Sequence, residues 1–125
     1  MAEDREFGYD EGGNFNPYYS PEKCGLVLIG EVDRSDECYQ FDLLVVWQDN
    51  ESKKLYCAED SGCSCPTPFE EVHRLSDMEE IEDPIKFARQ AKAWWNNGCT
   101  PHNKDDLERL IGTVIFLEVK NEKTW

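Results

Sequence analysis

The chain has 125 residues, 39% of them apolar and 32% charged, and its 27 acids against 13 Lys plus Arg give a formal charge of −14 at pH 7. That is the length of one domain, and fifteen aromatic residues supply side-chain volume for one core. The charge argues against binding nucleic acid or anionic lipid through phosphates, and no apolar run approaches the roughly 18–20 residues that span a bilayer. The acidic start, Met1 to Glu6, lacks the apolar stretch of a signal peptide, so a soluble, cytosolic protein is expected.

Residues 1–23 read as an irregular arm with aromatics (Phe7, Tyr9, Phe15, Tyr18, Tyr19) between acids and glycines. So many aromatics are unusual in a disordered tail, and the stretch from Phe15 to Tyr19 is expected to lie against the domain formed by residues 24–125. Leu26 to Val32 is a short β-rich run ended by the turn formers Asp33 to Asp36. Tyr39 to Trp47 alternates with period two, placing Tyr39, Phe41, Leu43, Val45 and Trp47 on one face and Leu44 and Val46 on the other. Asp49 to Ser52 is a hairpin loop, and Leu55 to Ala58 returns as a third strand. Asp60 to Pro68 reads as an ordered loop leaving the sheet, because two prolines and a glycine break the strand.

Ser76 with Glu79 has capping-box spacing and predicts a brief helix over 76–81. Asp83-Pro84 caps the clearest helix, about 84–97, whose apolar stripe holds Ile85, Phe87, Ala88, Ala91, Trp94 and Trp95, with Asn97-Gly98 as its stop. Asn103 caps a shorter helix closed by Gly112, and Thr113 to Val119 then reads as a fourth strand, with one continuous helix through Gly112 as the alternative. The fold class is α+β: an antiparallel meander of three to four strands with two or three helices packed on one face.

The six cysteines stand at 24, 38, 57, 63, 65 and 99. Without a secretory signal they read as reduced thiols filling small apolar sites. Structural zinc needs four ligands, and Cys57, Cys63, Cys65 and His73 are the best-placed set, with Cys99 and His102 as a distant pair. Their spacing matches no zinc ribbon or finger, so neither a metal nor any other cofactor is expected. A Cys–His nucleophile would have to pair His73 with Cys63 or Cys65, or His102 with Cys99. Neither pairing lies in a nucleophile motif, and catalysis is not expected.

The segments Phe41-Asp42, Val45-Val46-Trp47 and Leu55-Tyr56, with Asp60-Ser61-Gly62-Cys63-Ser64-Cys65-Pro66 and Pro68-Phe69-Glu70, resemble a family of small uncharacterised proteins of actinobacteriophages, mycobacteriophages especially. Tyr19-Ser20-Pro21-Glu22, Gly25-Leu26 and Gly30-Glu31 fit the same pattern, so the likeness runs over roughly residues 18 to 75. The resemblance implies a phage product working in the host bacterial cytoplasm and carries no activity with it. The family usually has a second tyrosine where Cys57 stands, which argues against Cys57 as an obligatory metal ligand.

Glu70, Glu71, Asp77, Glu79, Glu80, Glu82 and Asp83 crowd one stretch, opposed locally only by Arg74. The solvated surface is the plain reading; others are a phosphate-mimicking face for a host DNA- or RNA-handling protein, or pairing with Lys86, Arg89 and Lys92 on the next helix. Trp94 and Trp95 differ by about 100° around a helix, so one of them is expected to be exposed or covered by the arm or a partner. The expected function is a non-enzymatic accessory protein that binds a host protein through Glu79, Glu80, Glu82, Asp83 and one of the two tryptophans. Its alternatives are a zinc-stabilised module built on Cys63 and Cys65, and an acidic nucleic-acid mimic.

Overall fold

The computed structural model describes residues 6–11, 13–33, 40–63, 69, 71–96 and 104–122. Among these the elements run β1 (Tyr9–Asp10), β2 (Gly13–Asn14), β3 (Leu26–Asp33), β4 (Gln40–Asp49), β5 (Leu55–Cys63), β6 (Glu79–Ile81), α1 (Pro84–Asn96) and α2 (Lys104–Glu122). β1 and β2 pair as a minimal hairpin, and β3-β4-β5-β6 form an antiparallel sheet in that order. The α+β architecture follows, with both helices on one face.

β4 shows why the sheet is two-sided. Leu43, Val45 and Trp47 enter one apolar layer and Leu44 and Val46 the other, all of them buried, as strict alternation requires. The helix-side layer joins Val32, Leu55, Cys57 and Ile81 to Phe87, Ala91, Trp94 and Trp95 of α1 and Leu107, Leu110, Ile111 and Val114 of α2. The opposite layer joins Leu26 and Tyr56 to Phe7, Cys24, Phe69, Leu75 and Met78, with Phe15 and Tyr18 packed against it. Phe7, Phe15 and Tyr18 of the arm thus lie on the sheet, as its composition predicts in part, while Tyr9 and Tyr19 are exposed. Pro17 is fully buried there, and its carbonyl accepts a 2.9 Å bond from Trp47 Nε1.

β3 contributes to both layers because of a bulge. Its pairing runs Leu28 with Trp47 and then Gly30 with Val46, leaving Ile29 as an extra residue. One inserted residue reverses the alternation, so Leu26 and Leu28 serve the arm side while Val32 serves the helix side. A Cβ on Gly30 would stand 2.9 Å from Leu110 Cδ1, so α2 approaches the strand at a residue without a side chain.

Three sequence expectations are overturned. Residues 113–119 are not a strand but part of α2, which runs unbroken through Gly112. Leu107, Leu110, Ile111 and Val114 repeat at helical spacing and are buried, and that tertiary burial outweighs the roughly 1 kcal/mol propensity cost of the glycine. Residues 76–81 are not a helix: a short 3-10 turn, Leu75–Asp77, leads into β6, the true fourth strand. Extended backbone from Met78 through β6 sends Met78 and Ile81 into opposite layers, whereas a helix would have put them on one face. Finally, β5 does not stop at Ala58 but continues through Asp60, Ser61 and Gly62 to Cys63, held by its register with β4.

Candidate functional site

The acids singled out from the sequence sit where β6 turns into α1. Asp83 begins the helix: its Oδ1 accepts the Ile85 N–H at 2.9 Å and its carbonyl accepts the Phe87 N–H at 3.0 Å, with Pro84 in the first helical position. A carboxylate is favoured at this end by the positive pole of the helix. β6 is the margin of the sheet and is only three residues long.

The pairing fixes where each acid points. Glu79 stands opposite Cys57 and Ile81 opposite Leu55, and Cys57, Leu55 and Ile81 belong to the helix-side layer. Glu79 therefore faces α1, and its Oε1 receives a 3.5 Å contact from Gln90 Nε2. Glu80 is opposite Tyr56 and points to the other face, half-buried, 3.9 Å from Lys54 Nζ. The pleat thus sends the Glu79 and Glu80 side chains to opposite faces, while Glu79, Glu80, Glu82 and Asp83 all border one cleft. Among the described residues Lys86, Arg89 and Lys92 form no ion pair with these acids, although Lys86 stands at the same margin. Further back, Asp77 accepts the His73 N–H at 2.9 Å, and Arg74 pairs with Glu6 at 2.7 Å.

A small cleft of about 80 Å³ opens between β6 and α1. Glu79, Glu80, Glu82, Asp83, Lys86 and Gln90 are around it, with Ile81, Phe87 and Cys57 supplying its apolar and thiol lining. Phe87 and Gln90 are the cleft residues that sequence reasoning did not assign to a site, and Cys57 entered it only as a metal candidate. The signal was available for the first two, since they lie one and two turns beyond the Asp83 cap on the flank of α1 that meets β6. Burial, with the Glu79 and Glu59 carboxylates adding to it, pushes the Cys57 thiol up to about 12. The thiol is therefore neutral and a poor nucleophile at ordinary pH.

Trp94 and Trp95 do not belong to this surface. Both are buried, each 6% exposed, in the layer between the helices and the sheet, with ring centroids 6.4 Å apart. Two adjacent helical positions can both be covered when the helix has two neighbours, here the sheet and α2. The expectation of an exposed tryptophan is corrected on that ground.

The motif loop is anchored at its two ends. Asp60 Oδ1 accepts the Ser61 N–H at 2.9 Å, and Oδ2 accepts the Phe69 N–H at 2.7 Å. Phe69 adopts φ 63°, rare for an aromatic residue, and its buried ring meets Trp47 edge-on at 5.3 Å and Tyr18 at 5.8 Å. Asp60 and Phe69 of the motif thus form a structural clasp. Ser64, Cys65 and Pro66, and the side chain of Cys63, lie outside the described residues, as do Cys99 and His102.

Of the remaining metal candidates, Cys57 belongs to the helix-side layer, whereas His73 follows Val72, which packs on the opposite layer, and accepts the Phe7 N–H through its carbonyl at 2.9 Å. The sheet separates the two. Among the described residues no group of three or more His, Cys, Asp or Glu could hold a metal ion. No helix among them is long and apolar enough to cross a membrane.

A family model matches residues 15–118, which take in the sheet, α1, most of α2 and the clasp. The chain belongs to the family described as Domain of unknown function (DUF7574). No curated protein and no solved structure matches it. In this DUF7574 chain the matched span begins at Phe15, so it takes in the Phe15 to Tyr18 part of the arm that packs on the sheet as well as the sheet itself.

Proposed function

We propose that this DUF7574 chain is a non-enzymatic, phage-encoded accessory protein of the host bacterial cytoplasm that works by binding a host protein through the margin formed by β6 and the start of α1. One observation carries the reading: a sheet edge left short and acidic, with exposed Glu79, Glu82 and Asp83 around a cleft and no described basic side chain of α1 paired to them. Complementary charge accelerates encounter and selects partners, while a lined cleft beside it supplies a place for an anchoring side chain. The neutral, buried thiol of Cys57 and the separation of Cys57 from His73 give no support to thiol chemistry at this margin.

The test is capture from host lysate with the wild-type chain and with Glu79→Lys/Glu82→Lys. A defined partner retained by the first and lost by the second supports the reading. Equal capture by both excludes the acidic margin as the contact.

A further inference from the structure

Resting on that reading, we propose that the segment bound at this margin is an extended, basic peptide strand, which pairs with the outer edge of β6 and seats one arginine or lysine side chain in the cleft against α1.

The backbone geometry comes first. The Asp49 N–H donates to the Lys54 carbonyl at 2.9 Å, and the register continues without a break through Trp47 opposite Tyr56. In an antiparallel ladder the bonding alternates, so Tyr56 exchanges its bonds with β4, while Leu55 and Cys57 turn theirs to Ile81 and Glu79. The main-chain N–H and C=O of Glu80 consequently point away from the sheet. No turn or loop bond among the described residues occupies them. An added strand meets a donor and an acceptor there, the usual basis of strand addition at a sheet edge.

The side chains then select what the strand carries. Successive residues of an added strand alternate between the two faces. Those on the helix side pass over the cleft, where Ile81 and Phe87 offer apolar contact to an aliphatic stem and Glu79, Glu82 and Asp83 surround its cationic head. The cleft, about 80 Å³, accommodates the end of one such side chain rather than a whole small molecule. Cys57, 6% exposed and with no side-chain hydrogen bond among the described residues, lines it and adds no charge. Residues on the opposite side pass near Glu80. A phosphate-bearing ligand would meet carboxylates at every one of these positions, so nucleic acid and anionic membrane are disfavoured. Among the described residues Lys86 is the one cation lining the cleft, and its charge opposes an incoming cationic head.

The probe is a seven-residue peptide with arginine at alternate positions and threonine between, titrated into the full chain and followed by backbone amide NMR. Shifts are expected at Cys57, Glu79 to Asp83, Phe87 and Gln90, with the Glu80 amide newly protected from exchange. Glu79→Lys/Glu82→Lys should weaken binding about tenfold or more, and Lys86→Ala should strengthen it about twofold, as expected for exposed charges. All three positions are exposed, so the spectra themselves show whether each variant keeps its fold. A peptide N-methylated at alternate residues keeps every charge but cannot pair with an edge, and it should bind at least about tenfold more weakly. Equal binding of the N-methylated peptide, or of one with glutamate in place of arginine, overturns the proposal. So do shifts scattered over Glu71, Glu108 and other distant acids. If the arginine peptide fails to bind while charge reversal still abolishes partner capture, the strand is wrong and the acidic contact survives; if charge reversal leaves capture intact as well, both fall.

Discussion

On its helix side the sheet is covered by two helices whose buried residues recur at helical spacing. On the other side it is covered by the chain from Phe7 to Tyr18 and from Phe69 to Met78, which has almost no regular structure. The helix layer needs only apolar faces, because each helix satisfies its own backbone bonds. The arm layer must find partners for its backbone one at a time: Pro17 carbonyl with Trp47 Nε1, Phe69 N–H with Asp60, Phe7 N–H with the His73 carbonyl. Tyr18 adds a hydroxyl bond to Glu31, and burial together with that carboxylate raises its pKa above the usual tyrosine value. One side is held by periodicity and the other by individual contacts. Damage should therefore spread through the first and stay local in the second.

The largest expected effect tests the helix side. Trp95→Ala removes a buried indole from the layer shared by both helices and the sheet, and should cost about 3–5 kcal/mol. Urea unfolding should show a lower midpoint with one transition, and hydrogen exchange should accelerate in β4 and both helices together. Acceleration confined to α1 would break the comparison.

Asp60→Ala tests the arm side. It leaves the buried Phe69 N–H without its acceptor and releases a residue held at φ 63°, for an expected loss of about 1–3 kcal/mol. Exchange should quicken at Phe69, Val72 and the arm while the α2 amides stay protected. A uniform rise across the molecule would show that the two layers are not independent.

What the sequence disclosed follows the same division. The alternation of Leu43 to Trp47 and the Asp83-Pro84 helix start are local patterns, and both appear in the structure as read. The fate of Thr113 to Val119 was not local: its β-branched residues fit either state, and burial of Leu107, Leu110, Ile111 and Val114 against the sheet decides for helix. β6 was missed because three residues form a strand only when β5 is beside them. Of the candidate site, the acids were visible as composition, but their division between two faces depends on a register that no single segment encodes. The tryptophan pair misled because the sequence does not show that α1 has two neighbours.

Gly30→Ala sharpens the boundary between β3 and α2. The new methyl group would lie 2.9 Å from Leu110 Cδ1, and Leu110 is itself buried, so its side chain must change rotamer or the helix must shift. Overpacking of this kind costs about 1–3 kcal/mol. Glycine at this position reads as room for the Leu110 side chain only once the bulge at Ile29 is known. A stabilised Gly30→Ala protein would mean that α2 moves away freely, contrary to its place in the helix-side layer.

Cys57→Val has the smallest expected effect at neutral pH, under about 1.5 kcal/mol, because it swaps one small buried group for another of similar volume. Its signature lies at high pH. The thiol ionises near 9.0 when unfolded and near 12 in the native protein, because burial disfavours the thiolate there. Between those values the unfolded chain gives up the proton and the native chain keeps it, so stability falls as pH rises, by up to about 1.4 kcal/mol per pH unit. Valine removes the thiol's share of that slope, so urea midpoints at mildly alkaline and strongly alkaline pH should lie closer together for the variant than for the wild type. Tyr18 is raised in the same direction, so Tyr18→Phe provides the control: the slope that survives in Tyr18→Phe and vanishes in Cys57→Val belongs to the thiol. If instead Tyr18→Phe alone flattens the profile, the alkaline weakness lies in the arm layer, and the helix layer tolerates a thiolate that its burial should exclude.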